Sequence, residues 1–110
     1  MKREFLHIAM YRAMDCFYDE KPTKKLRQFL TDSNPYLYKE HTTADSAIQA
    51  DFNNSMDKQN IDSEVDERIS YSAVKNFLAE QNKNFAKMFE NISLDEWKKI
   101  CEIVSAEEEK

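Results

Sequence analysis

The 110-residue sequence contains no glycine. Phosphate-binding loops, dinucleotide-binding fingerprints and the nucleophile elbow need glycine where the backbone has a positive φ or approaches a ligand closely. We therefore expect none of these sites, and tight two-residue hairpins are disfavoured as well. Several asparagines, among them Asn60 and Asn91, fall where helices are expected to end, a position at which asparagine can replace glycine.

Long apolar runs are also missing. No stretch approaches the roughly 20 residues that span a bilayer, and charged residues interrupt the N-terminal sequence MKREFLHIAMYRAMDCFYDE, which excludes the apolar core of a signal peptide. The only two cysteines, Cys16 and Cys101, lie on predicted apolar helix faces. We expect two free, buried thiols, with a disulfide between the first and last helices as the alternative. Together these features predict a cytoplasmic protein.

Basic residues are outnumbered, with 16 Lys and Arg against 21 Asp and Glu and a net charge of −5. An acidic surface repels nucleic acid and anionic membranes, so we expect neither as a partner. The same surface favours a basic protein partner. A hydrophobic content of 41% is enough for one globular core in a chain of this length.

Apolar residues recur at helical spacing along most of the chain, and no segment alternates as a strand does. The first three predicted helices span residues 3–19, 23–31 and 45–57. A fourth helix is predicted to start at a Ser70 or Ser72 cap and to continue through Phe89. A fifth begins with a capping box formed by Ser93 and Glu96. We therefore predict an all-α, single compact bundle of about five helices, one domain over residues 1–110, with a frayed acidic tail at 105–110.

Between the third and fourth predicted helices lies a polar, mostly acidic segment, residues 57–67. Ile61, Val65 and Ile69 recur at a spacing of four, which is compatible with a weak helical turn. An acidic loop is an equally good interpretation of the same segment.

The sequence offers few groups for catalysis or metal binding. His7 and His41 are the only histidines. His41 and Asp45 could form a base and its orienting carboxylate, but no nucleophile accompanies them. Both cysteines have an acidic neighbour, Asp15 or Glu102, which is the wrong electrostatic environment for a reactive thiolate. The run DSEVDE lacks the glycine of a calcium loop, and Glu4-x-x-His7 occurs once where a di-metal site needs it twice. We predict no enzyme activity, no cofactor and no metal.

One stretch differs from the rest: FLTDSNPYLYKEHTTADSAIQADF, residues 29–52. It resembles a pattern, sD.NP.l.....sADpa....F, of small uncharacterised helical proteins of Gram-positive gut bacteria. The residues that match this pattern are Asp32, Asn34, Pro35, Leu37, Ala44, Asp45, Ala47 and Phe52. Some proteins of this group are similar to immunity partners of contact-dependent or polymorphic toxins. The resemblance implies a bacterial immunity function, and the pattern itself carries no catalytic motif.

An acidic segment beside aromatic side chains is typical of a surface that binds a basic protein, because charge steers the encounter and rings anchor the complex. The leading hypothesis is an immunity protein that occludes a cognate toxin. The alternative is a helical adaptor that forms homodimers through Phe and Met side chains. The predicted partner-binding residues are Tyr36, Tyr38, His41, Asp57, Asp62, Glu64, Asp66 and Glu67.

Overall fold

The structure is a computed structural model that describes residues 1–20, 23–35 and 46–109. A 3₁₀ turn at Arg3–Phe5 precedes the α-helices of this part of the chain. These helices are α1 (Leu6–Glu20), α2 (Lys24–Ser33), α3 (Ser46–Lys58), α4 (Glu67–Gln81), α5 (Lys83–Phe89) and α6 (Leu94–Glu108). In the described ranges the only β-type pairing is an isolated antiparallel bridge between Lys2 and Glu64. The predicted all-helical class is confirmed.

Polar side chains cap the helix starts. Thr23 accepts the Leu26 N–H at α2. Ser93 and Glu96 form the predicted capping box at α6, with each side chain bonded to the backbone of the other. The predicted cap of α4 was wrong. The helix begins one turn earlier, because Asp66 accepts the Ile69 N–H at 2.8 Å and thereby satisfies a free donor of the first turn.

The end of α3 replaces glycine with asparagine, as predicted. Asn60 has a φ of 58°, in the left-handed region that glycine usually occupies. Its N–H bonds to the Asp57 carbonyl, and the Ile61 N–H bonds back to the Met56 carbonyl. This is the Schellman pattern, and its usual apolar contact is available because Met56 and Ile61 are both buried.

The predicted fourth helix is two helices, which gives six instead of about five. The backbone of Asn82 is extended, with φ −167° and ψ 124°. Its N–H still bonds to the Leu78 carbonyl at the end of α4, while its side chain accepts the Asn84 N–H at the start of α5. One asparagine therefore ends one helix and caps the next. Apolar spacing continues across this break, so periodicity alone does not reveal it.

Buried apolar side chains form one cluster to which every helix contributes. Helix α1 packs against α2, α4, α5 and α6, so it lies at the centre of the arrangement. The buried aromatic residues of α5 contact two neighbouring helices, since Phe85 packs against Phe29 of α2 while Phe89 packs against Trp97 of α6. Helix α5 therefore joins α2 and α6 in the core.

A polar node lies inside the core. The indole N–H of Trp97 donates to Ser70 Oγ at 2.9 Å, and the Ser70 hydroxyl donates to the Glu67 carbonyl at 2.9 Å. Both side chains are fully buried. Tyr71 packs beside Trp97 and donates its hydroxyl to the Ile92 carbonyl at 2.6 Å. Buried donors are thus paired, as core polar groups must be.

The two cysteines are free, but their environments differ. Cys101 is buried, as predicted, whereas Cys16 is exposed, so the prediction of a buried Cys16 was wrong. Position 16 lies outside the buried residues of α1, of which Ala13 and Met14 are the last, and is exposed like its neighbour Asp15.

Helix α6 continues to Glu108, so residues 105–108, which were expected to fray, are helical in the structure. None of the helices in the described ranges is both long enough and apolar enough to cross a membrane.

Candidate functional site

The polar segment between α3 and α4 is a loop. After the turn at Gln59 and Asn60 the chain runs without helix to Asp66, the cap of α4. We call residues 59–66 the acidic loop. Of its apolar side chains, Ile61 and Val65 are buried and hold the loop to the core. The choice between loop and helical turn, left open by the sequence, is resolved in favour of a loop.

The first residues of the chain lie along the acidic loop. We call residues 1–3 the N-terminal strap. The Arg3 N–H donates to the Ser63 carbonyl at 2.8 Å, and the Val65 N–H donates to the Met1 carbonyl at 2.9 Å. The α-ammonium group of Met1 donates to the Val65 carbonyl at 3.2 Å. The strap and the loop are therefore joined by main-chain groups in the manner of a short two-stranded ribbon.

The side chain of Arg3 connects the strap to α3 as well. Its Nη1 donates to the Ile61 carbonyl at 2.9 Å. Its Nη2 donates to the Asn53 carbonyl at 3.1 Å and lies 2.6 Å from Asp57 Oδ1. Only 23% of this side chain is exposed. A planar guanidinium can serve several acceptors at once, which a lysine ammonium does less well.

The predicted acidic contacts lie together around the loop but have different local roles. Asp57 is paired with Arg3, and Asp66 is the N-cap of α4. Glu64 lies 3.4 Å from the Met1 ammonium and remains 69% exposed. Asp62 is exposed, and Glu67 is half-buried in the first turn of α4. Tyr36, Tyr38 and His41, the other predicted contacts, lie outside the described residues.

Sequence reasoning missed one apolar residue at this surface. Ile69 is 51% exposed, whereas the sequence showed it only as one of three isoleucine and valine positions spaced by four. It lies in the first turn of α4, and its backbone N–H donates to the carboxylate of the N-cap residue Asp66. The only other large apolar side chain that is mainly exposed in the described ranges is Ile103. If the N-cap of α4 had been predicted at Asp66, Ile69 would have been placed in the first turn of that helix and could have been considered as an exposed residue.

An open groove of about 960 Å³ lies beside the strap, and its lining includes Arg3 of the strap and Ser63 and Glu64 of the acidic loop. Its apolar lining residues include Phe5, Ile8 and Phe52, and its charged lining residues are of both signs. His7 also lines it but is only 8% exposed, and its ring packs edge-on against Phe52. Such packing favours a structural role for this histidine. The mixed charges point to no single class of ligand.

Metal and thiol chemistry depend on which side chains are grouped together and on the pKa of the thiol. Within residues 1–20, 23–35 and 46–109, no three His, Cys, Asp or Glu side chains are grouped so that they could hold a metal ion. Burial, with a smaller contribution from the nearby Glu67 carboxylate, raises the pKa of the Cys101 thiol to about 12. A thiol with a raised pKa is a poor nucleophile at neutral pH.

Burial also raises the pKa of Tyr71, while Lys75 acts in the opposite direction. Its phenol therefore stays protonated and able to donate its hydrogen bond to the Ile92 carbonyl. This residue serves the core rather than the surface.

Comparison of the chain with models of protein families, with curated proteins and with solved structures finds no match. The proposed function therefore rests on the acidic loop, the N-terminal strap and Ile69.

Proposed function

We propose that the chain is a non-enzymatic protein-binding domain, most concretely an immunity protein that neutralises a basic toxin domain by covering it. The observation that carries the proposal is the acidic loop. Its backbone is held by hydrogen bonds to the strap, its carboxylates at Asp62 and Glu64 are exposed, and an exposed isoleucine follows on α4. Charge of one sign speeds the encounter with a partner of opposite charge, and a desolvated apolar side chain supplies the anchor.

The contacts of this proposal fall into two groups. Asp62 and Glu64 project from the loop, and Ile69 follows it on α4. Tyr36, Tyr38 and His41 remain predicted contacts on the basis of the sequence. Asp57 contributes less, because its charge is largely offset by Arg3 at 2.6 Å. A cytoplasmic location belongs to the same proposal, since a protein of this kind protects the cell that makes it.

The test is co-expression with the C-terminal domain of a secreted protein encoded beside this chain. We expect the toxin domain to copurify with the chain and to lose its toxicity. The double variant Asp62→Asn with Glu64→Gln should lower the association rate by about tenfold at low salt, and the loss should shrink at high salt. Ile69→Ala should instead increase the dissociation rate, by about fivefold or more.

The control removes the same amount of charge elsewhere. Asp19 and Glu20 are exposed at the far end of α1, a helix of 15 residues and so about 22 Å long. The double variant Asp19→Asn with Glu20→Gln should bind like the parent protein. The proposal is lost if the toxin domain neither copurifies nor becomes harmless, and the assignment of the surface is lost if both double variants weaken binding equally.

The alternative, a homodimer formed through Phe and Met side chains, is favoured by no observation in the described part of the chain. There the large apolar side chains that are mainly exposed are isoleucines. Sedimentation at increasing concentration tests it, since a dimer of this kind dissociates on dilution.

A further inference from the structure

The acidic loop has few means of holding its own shape. After the Schellman turn, the loop residues form no helix, and only Ile61 and Val65 among them are buried. Its carboxylates carry charges of one sign within a few residues of one another. Repulsion between such groups favours an open chain unless cations or hydrogen bonds oppose it.

The strap supplies both a cation and hydrogen bonds to the acidic loop. Two of the main-chain bonds between strap and loop, Arg3 N–H to Ser63 and Val65 N–H to Met1, are shorter than 3.0 Å. The guanidinium of Arg3 adds bonds to the Ile61 carbonyl in the loop and to the Asn53 carbonyl in α3. Hydrogen bonds from a charged donor are stronger than neutral ones. Arg3 therefore ties the strap to two segments, the loop and α3, whose contacting residues lie 50 or more positions away in the sequence.

The strap also determines which carboxylates are offered to a partner. Asp57 forms an ion pair with Arg3 at 2.6 Å, and Asp66 accepts a hydrogen bond from the first turn of α4. Asp62 and Glu64 remain as the outward charges of the loop, with Glu64 only 3.4 Å from the Met1 ammonium. The direction in which they point depends on the loop backbone, which the strap holds at Ser63 and Val65 on either side of Glu64.

We propose that the N-terminal strap is the element that fixes the acidic loop in its binding conformation, with Arg3 as the positioning residue. This inference rests on the proposed function for its biological meaning. Arg3 does not contact the partner. It acts by holding the loop closed before the partner arrives, which lowers the entropy lost on binding. If the strap opened, the loop would lose its binding conformation and the surface would no longer bind the partner.

The test is amide hydrogen exchange by NMR on the full, free chain, so it requires no partner. The reporter is the Val65 N–H, whose acceptor is the Met1 carbonyl. The reference is Val74, which is fully buried in α4. In Arg3→Gln we expect the protection of Val65 to fall by about tenfold or more, while that of Val74 changes little, because local opening exchanges an amide without unfolding the core.

The matched control is Lys58→Gln. Lys58 follows Asp57 in α3 and pairs with Glu80 of α4 at 2.9 Å, so the variant also removes one cation and one ion pair. It should leave Val65 protected. Arg3→Lys is the second variant and should fold even if Arg3→Gln does not. Its ammonium keeps the charge but lacks the planar fork, so the protection of Val65 should still fall, by a smaller factor.

Three outcomes overturn the proposal: unchanged Val65 protection in the Arg3 variants, an equal fall at Val65 and Val74, and an equal fall in Lys58→Gln. Failure of the proposed function is recognised separately, since a strapped loop that binds no toxin domain leaves the exchange results intact. If the proposed function and the role of the strap are both correct, Arg3→Lys should also slow association with the toxin domain by at least a few-fold, although Arg3 lies outside the contact surface.

Discussion

Replacement of Ser70 by alanine tests the polar node of the core. Ser70 Oγ accepts the indole N–H of Trp97 at 2.9 Å and donates to the Glu67 carbonyl at 2.9 Å. Both side chains are inaccessible to solvent. In Ser70→Ala the indole N–H keeps its place but loses its acceptor, and water cannot replace it without opening the contact between α4 and α6.

The expected loss can be worked out from two opposing terms. A buried donor without a partner costs about 1–3 kcal/mol. Alanine has a higher helix propensity than serine, and this difference stabilises the variant by about 0.5 kcal/mol. The net destabilisation is then about 0.5–2.5 kcal/mol. Ser72 provides the control, since it lies two residues further along α4 and is exposed. Ser72→Ala gains the propensity and loses no buried bond, so it should be neutral or slightly stabilising.

The assay is urea denaturation, followed by the fluorescence of Trp97, the only tryptophan. A double-mutant cycle with Trp97→Phe, followed by circular dichroism, isolates the pair and should give a coupling energy of about 1 kcal/mol or more. The reasoning is refuted if Ser70→Ala and Ser72→Ala have the same stability, or if the cycle gives no coupling.

Two further predictions concern the cysteines and the end of α3. Alkylation of the folded protein at about pH 8 should modify exposed Cys16 alone, as counted by mass spectrometry, and a second adduct should appear only in denaturant. Burial raises the Cys101 pKa to about 12, so its contribution to stability is complete below the unfolded value of about 9 and is lost as the pH rises toward 12. Cys101→Ala should therefore show a smaller drop in urea midpoint between about pH 8 and about pH 10, and an equal drop would contradict this assignment. Asn60→Ala should cost about 1 kcal/mol, because alanine resists a φ of 58°, whereas Asn60→Gly should stay within about 0.5 kcal/mol of the parent.

Local sequence signals predicted the features that depend on neighbouring residues. The capping box of Ser93 and Glu96 and the helix end at Asn60 are both recognisable from a few positions. The break at Asn82 was not recognisable in the sequence, because apolar residues continue at helical spacing from α4 into α5. The break is visible only in the backbone, where Asn82 is extended and its side chain caps α5.

Long-range pairing accounts for two further features that the sequence did not reveal. Ser70 looks like an N-cap in the sequence, but it bonds to Trp97, 27 positions away. Asp57 looks like a free surface charge, but it is paired with Arg3, 54 positions away. No local pattern identifies either partner. The acidic character of the candidate site was therefore predictable, while the strap that holds it and the exposure of Ile69 required the three-dimensional arrangement.

The packing of α1 against α6 also constrains how the chain can fold during synthesis. Arg12 of α1 pairs with Glu107 of α6, 95 positions later, and the strap pairs with residues 61–65. The apolar face of α1 leaves the ribosome first but gains its last neighbour only when α6 has emerged. Until then Leu6, Met10 and Met14, which are fully buried in the native state, lack part of their cover. The growing chain is thus expected to need protection from aggregation for most of its synthesis, and to complete its fold in one late, cooperative step.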